Sequence, residues 1–249
     1  MAGTGSGEGA ADKENRRESP ETLGMIAAFS WEVGALLRRQ KRLERLNAKR
    51  YRFQLRGGPV VLAIGGAGIE NSYRTARLLV REFAVKGLVS VGFAGALDES
   101  VRPGELVAAE AVVDAVSAER FCCRHDLLVV PAAHLGVLVS VPEVAASAEK
   151  KHSLGTEWGA VAVDMESAGV ARAAVEAGLP FAAVRSITDA SSQAFAIDFQ
   201  RCRSEHGGLS YWKIVWEAFR SPGGFHDLMQ LAGNSRRAAG NLAVALAPS

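Results

Sequence analysis

The stretch PVVLAIGGAGIENSYRTARLLVREFAVKGLVSVGFAGAL, residues 59–97, decides the fold class. Its first apolar run reads as a buried strand ending in the glycine turn GGAG, 65–68. SYRTARLLVREF then places Ala76, Leu79, Val80 and Phe83 at helical spacing. KGLVSVGFAGAL repeats the apolar strand and a second glycine turn, GFAG at 92–95. Strands alternating with helices of about 10–15 residues indicate an α/β fold with a largely parallel or mixed sheet.

The alternation continues outward on both sides. Upstream, MIAAF (25–29) is a short apolar run, followed by Ser30 as N-cap and a helix, WEVGALLRRQKRLERL, over 31–46. Downstream, GELVAAEAVVDA (104–115) and LLVVPA (127–132) read as strands. GAVAVDME (159–166) is a strand running into the helix SAGVARAAVEAG, which stops at Gly178 with Pro180 just beyond. LPFAAVRSITD (179–189) is another apolar strand, ending on an acid. YWKIVWEAF (211–219) and FHDLMQLAGNSRRAAGNLAVAL (225–246) are amphipathic helices separated by SPGG. The expected organisation is a flexible tail over 1–24, one α/β domain over 25–205, and a helical extension over 206–249 packed on that domain. The domain is expected to hold a twisted mixed β-sheet flanked by helices. The tail has almost no large apolar residue and lacks the apolar core of a signal peptide.

Composition narrows the function classes. The 249 residues are 48% hydrophobic, too apolar for a disordered chain, and the formal charge of +2 implies no nucleic-acid partner by itself. Three cysteines make no disulfide framework and suggest a reducing, cytoplasmic compartment. The longest uncharged stretch, Leu127 to Pro142, is interrupted by Pro131, His134 and Gly136 and is too short to span a bilayer. Cys122, Cys123, His125 and Asp126 lie together, but adjacent cysteines are poor tetrahedral chelators, so no metal is expected.

Three acids sit where a strand or turn delivers a side chain to one end of a sheet, the place where open α/β sheets bind ligands: Glu32, Glu166 and Asp189. The glycine turns allow close backbone approach to a ligand and can aim N–H groups at an anion. Neither is a GxGxxG fingerprint, and no GxxxxGK[ST] occurs. Nine basic residues and one acid, Glu44, lie between Arg38 and Arg56. They read as a solvated helix face; a sharper reading joins them to Trp212, Trp216, Phe219 and Phe225 as a peripheral contact with anionic lipid.

AVDMES (162–167), VRSITD (184–189), SVGFAGALD (90–98) and AAFSWEV (27–33) resemble the four signature segments of the purine nucleoside phosphorylase and nucleosidase superfamily. The resemblance covers roughly residues 25–195. The start of the chain is most similar to the hydrolytic branch typified by methylthioadenosine/S-adenosylhomocysteine nucleosidase. LDESVRPGELV, AVDMES and LMQLAGNSRRAAGNL look closer to the hopanoid-associated phosphorylases, which are linked to adenine removal from adenosylhopane. The resemblance implies Asp189 as the acid at purine N7, Glu166 as the carboxylate accepting from the sugar hydroxyls, and Glu32 as the activator of the attacking water. It also implies Met165 against the ribose, with Phe93, Ala94, Gly95, Gly66, Val163 and Arg185 binding substrate. An acid at the end of an apolar strand is the setting that raises a carboxyl pKa to useful values.

Two departures from the resemblance matter. Phe93 stands where many relatives carry a hydroxyl residue. Ser90 and Val91 precede Gly92, where hexameric phosphorylases hold phosphate with an arginine. The stretch SVPEVAASAEKK (140–151), expected to stack on the purine, offers no aromatic side chain. The expected function is hydrolysis of the N-glycosidic bond of a purine nucleoside, with adenine the expected base, and no metal or organic cofactor. One alternative is phosphorolysis, with inorganic phosphate as co-substrate held by the GGAG backbone and another arginine, for example Arg185 or one from a neighbouring subunit. Another is a non-catalytic nucleoside-binding protein on the same fold. Relatives are commonly oligomeric, so a homo-oligomer is expected by resemblance.

Overall fold

The computed structural model describes residues 22–128, 130–195 and 224–247. Ten strands form one mixed sheet. In chain order they are β1 (Leu23–Ala27), β2 (Glu44–Asn47), β3 (Arg50–Leu55), β4 (Gly58–Ile64), β5 (Gly87–Ala96), β6 (Leu106–Asp114), β7 (Arg120–Cys122), β8 (His134–Ser140), β9 (Ala160–Asp164) and β10 (Phe181–Asp189). The described helices are α1 (Ser30–Arg38), α2 (Ile69–Glu82), α3 (Ala148–Trp158), α4 (Ser167–Glu176) and α5 (Gly224–Leu246).

Strand order runs β10-β6-β8-β9-β5-β1-β4-β3-β2, and β5 also pairs with β10. That extra pairing closes β5, β10, β6, β8 and β9 into a ring, from which β1, β4, β3 and β2 extend as a wing. Closure removes the free edge at β10 and leaves β2 as the edge of the wing. The expected mixed sheet flanked by helices is present; the closure was not anticipated, because strand order is not visible in hydrophobic runs.

Side-chain alternation sorts the core. In β1, Ile26 joins the apolar layer that includes Leu79 and Val170, whereas Leu23, Met25 and Ala27 join the layer that includes Val33, Leu36 and Leu242. Helices α2 and α4 therefore cover one face and α1 and α5 the other. Every residue of β10 is buried, as expected for a strand enclosed on both sides. The expected helix over 225–246 is present as α5, with Ala239, Leu242, Ala243 and Leu246 buried at helical spacing. The expected helix over 211–219 lies outside the described residues.

Several boundaries are corrected. Strand β1 begins at Leu23, which pairs with Val60 and Gly87, so ordered structure starts two residues before Met25, the expected start of the domain. Helix α1 ends at Arg38 instead of reaching Leu46. The chain then makes the β2–β3 hairpin, because RYRFQL buries Phe53 and Leu55 and exposes Gln54 between them, a strand period inside the stripe expected to be a helix face. The basic stripe consequently lies along a hairpin at the sheet edge and is not a helix face; Arg50 there pairs with Glu82 and Arg52 with Glu44. No strand forms among the described residues of LLVVPA: His125–Leu127 is a 3-10 turn ahead of Pro131, and the strand is β8, over the uncharged run that follows. Among the described residues, no helix is long and apolar enough to cross a membrane.

Candidate active site

A cavity of about 260 Å³ opens where β1, β5, β9 and β10 end. Glu32, Glu166 and Asp189 all line it. The four resembling segments, far apart in sequence, meet here because β1, β5 and β10 run parallel and end on the same side.

Glu32 lies in the first turn of α1 and is 5% exposed. Its Oε2 accepts from the Phe29 N–H at 2.8 Å and its Oε1 from the Phe93 N–H at 3.1 Å. Ser30 is thus the first helical residue and not the cap; Glu32 reaches back to satisfy the backbone at the helix start. Burial pushes the Glu32 carboxyl above its ordinary range, against the pull of these N–H groups and of the Arg185 charge.

Glu166 stands between β9 and α4. Its Oε1 accepts from the Gly68 N–H at 3.0 Å and its Oε2 from the Met165 N–H at 3.3 Å. Burial, and next the charge of Asp164, push its carboxyl up to about 8, with Arg185 acting in the opposite direction.

The GFAG segment is not a turn: β5 continues through it to Ala96. Its glycines make room for the acids. A Cβ on Gly92 would sit 2.8 Å from Glu32 Oε1, and one on Gly95 would sit 2.8 Å from Asp189 Oδ2. Phe93, Ala94 and Gly95 line the cavity, as do Val163 and Met165. Gly66 does not; the GGAG turn contributes Ala67 to the wall and the Gly68 N–H to Glu166.

Arg185 is also outside the cavity wall, although expected to touch substrate. It is 1% exposed and lies beneath the floor. Its Nε donates to Asp164 Oδ2 at 2.7 Å, and its Nη2 donates to Ser90 Oγ at 2.8 Å and Ser167 Oγ at 2.9 Å. Alternation along β10 explains this, since Arg185 and Asp189 are four residues apart but a bulge shifts the register after Ile187. Asp164, on which sequence reasoning was silent, lines the cavity and holds Arg185 in place.

Asp189 does not stand in the apolar setting expected for it. Lys151 Nζ donates to its Oδ2 at 2.5 Å, and the Thr188 hydroxyl donates to its Oδ1 at 2.7 Å. Lys151 is fully buried in α3 between two exposed neighbours, Lys150 and His152. The only sequence signal was its placement three residues before Leu154, the other buried position of that helix. The aromatic side chains come from elsewhere than 140–151: Phe195 and Phe93 line the cavity, and Phe29 stacks on Trp31 at its mouth, centroids 4.1 Å apart.

Away from the cavity, Cys123 is half-buried, and desolvation pushes its thiol up to about 12, which leaves it an inert thiol at neutral pH.

The family model described as the phosphorylase superfamily matches residues 22–122 and 113–207. This chain belongs to the phosphorylase superfamily. It is an enzyme of that superfamily, a nucleosidase or a nucleoside phosphorylase. Among curated relatives, 5′-methylthioadenosine/S-adenosylhomocysteine nucleosidase of Staphylococcus haemolyticus is 25% identical over 213 residues, covering 74% of this chain and 92% of the relative. The Staphylococcus aureus enzyme of that name is 23% identical over 207 residues, covering 72% and 90%. Among solved structures, futalosine hydrolase of Helicobacter pylori superposes with a TM-score of 0.67 at 18% identity, covering 90% of this chain and 95% of that one. The Helicobacter pylori 5′-methylthioadenosine/S-adenosylhomocysteine nucleosidase, complexed with a pyrrolidine inhibitor, gives 0.65 at 19% identity, covering 90% and 97%. At such identities the superfamily member shares its fold with these structures.

Proposed function

We propose that this enzyme hydrolyses the N-glycosidic bond of a purine nucleoside, releases the free base, adenine, and accepts an apolar 5′ substituent. The observation that carries the reading is the convergence of Glu32, Glu166 and Asp189 on one cavity with no lysine or arginine in its wall among the described residues. Breaking C1′–N9 sends the bonding pair onto the purine and leaves an oxocarbenium-like sugar. Asp189, paired with Lys151 as a carboxylate, takes up a proton from solvent as the nucleoside binds and gives it to N7, so the base departs neutral. Glu166, once ionised, accepts from the 2′- and 3′-hydroxyls and its charge opposes the positive sugar. A water attacks C1′ and gives a proton to Glu32, whose two backbone N–H contacts fix its direction.

Water is favoured over phosphate on electrostatic grounds. A phosphate dianion beside C1′ would face Glu32 and Glu166. The cationic groups below and beside them are committed, Arg185 to Asp164 and Lys151 to Asp189. The Gly68 N–H of the GGAG turn is taken by Glu166. Phe29, Trp31, Val144 and Leu231 give the cavity an apolar mouth, which suits an uncharged 5′ group.

The test is base release from adenosine, methylthioadenosine, adenosylhomocysteine, inosine and a hydrophobic 5′-substituted adenosine, with and without phosphate. Free ribose in phosphate-free buffer, fastest with the apolar 5′ groups, is the expected result. A strict phosphate requirement with a sugar phosphate product would overturn hydrolysis. Tight binding of all five with no base released would leave a binding protein.

A further inference from the structure

We propose that Lys151 is the positioning residue of the base end of the site, aiming Asp189 and pinning residues 190–195 so that Phe195 covers the bound base. The inference rests on the reading of Asp189 as the acid at N7 and extends it to a residue that never meets the substrate.

An ammonium removed from water must find both an opposite charge and an acceptor for each of its three N–H groups. Lys151 finds all of them. Nζ donates to Asp189 Oδ2 at 2.5 Å, to the Ala190 carbonyl at 2.7 Å and to the Gln193 carbonyl at 3.0 Å. It has no donor left for a ligand, and it does not line the cavity. Whatever it does for the reaction, it does through those three partners.

The partners are consecutive in space along one segment. Asp189 ends β10, and the chain turns over Nζ through Ala190 and Gln193. Phe195 is then held by its own N–H on the Ala146 carbonyl at 2.8 Å, two residues ahead of α3. The Phe195 ring lies 5.4 Å from Nζ, within reach of a cation–π attraction, and faces the cavity. One buried charge thus fixes both the acid and the aromatic cover over the base. When Asp189 yields to N7 the proton it took up from solvent, the carboxylate that pairs with Lys151 is restored, so the same contact stabilises the charge left on the enzyme.

Replacing Lys151 alone strands the Asp189 charge and can cost the fold, so the decisive comparison is made in a background where that charge is gone. The enzyme, Asp189→Asn, and Lys151→Met combined with Asp189→Asn are compared for base release and for amide hydrogen exchange over 190–195. The double variant is expected to keep the kcat of Asp189→Asn within about threefold, because the aiming function has nothing left to aim. Its KM is expected to rise about tenfold, and exchange over 190–195 to accelerate by at least as much. A further fall in kcat of about thirtyfold at unchanged KM, or unchanged exchange over 190–195, would overturn the proposal. Lys151→Arg should recover part of the activity that Lys151→Met loses; recovery of none would count against an aiming role. The two claims separate cleanly. Wild-type enzyme releasing no base refutes Asp189 as the N7 acid, while the exchange readout decides the anchor without any turnover.

Discussion

The two ends of the cavity hold their carboxyls in opposite ways. At the sugar end, Glu32 is buried and Glu166 half-buried, each held by two backbone N–H groups with no cation in direct contact among the described residues; both are pushed towards the protonated form. At the base end, Asp189 is locked into an ion pair with a buried lysine. The contrast teaches that one pocket runs two electrostatic regimes. Backbone dipoles leave a carboxyl free to gain or lose a proton as substrate charge develops, whereas an ammonium commits it to a fixed direction. Asp164, in the cavity wall, pairs with Arg185 beneath it, and the two charges act on Glu166 in opposite directions.

The contrast can be broken first at the sugar end. Glu32→Gln keeps the shape but cannot take a proton from water, and kcat should fall about 10³-fold while a nucleoside analogue still binds. Steady-state kinetics with a binding titration checks this. The floor can be broken next: Arg185→Met strands Asp164 in the interior, and urea unfolding should show a loss of about 3–5 kcal/mol, much of it recovered in Arg185→Met with Asp164→Asn. The two ends can then be disturbed separately through β5. Gly92→Ala pushes on Glu32 and should lower kcat about 30-fold with adenine affinity unchanged. Gly95→Ala pushes on Asp189 and should weaken adenine binding as well as turnover.

The finest distinction is read from pH. The ionised Glu166 is the useful form, and its carboxyl is pushed up to about 8. Hence kcat/KM should rise about tenfold per unit up to about pH 8 and level off above it. Asp164→Asn removes a charge that raises Glu166 and should move that limb to lower pH; Glu166→Gln should abolish it. Stability runs the other way. An acid raised from 4.5 to about 8 in the fold supports it fully below pH 4.5, and that support is lost as pH climbs to about 8. Melting temperatures of the wild type and Glu166→Gln across this range give the sign.

Much of this was legible in the chain. The strands that deliver the acids are apolar runs bounded by glycine or acid, and AVDMES and VRSITD carry residues whose types are tied to the chemistry. What stayed hidden depends on long-range packing. Lys151 reads as one more surface lysine until Asp189, 38 residues on, closes over it. Arg185 carries a charge that looks available for an anion until the topology sets it under the floor. The β2–β3 hairpin was masked because arginines and leucines suit a helix as well as an edge strand, and only the Phe53 and Leu55 alternation tells them apart.

The most direct test is a crystal structure with a stable nucleoside analogue carrying a positively charged sugar mimic. Purine N7 should lie within hydrogen-bonding distance of Asp189, the ring hydroxyls on Glu166, and a water between Glu32 and the anomeric position. An analogue bound with its base turned away from Asp189, or seated outside this cavity, would contradict the assignment of all three acids.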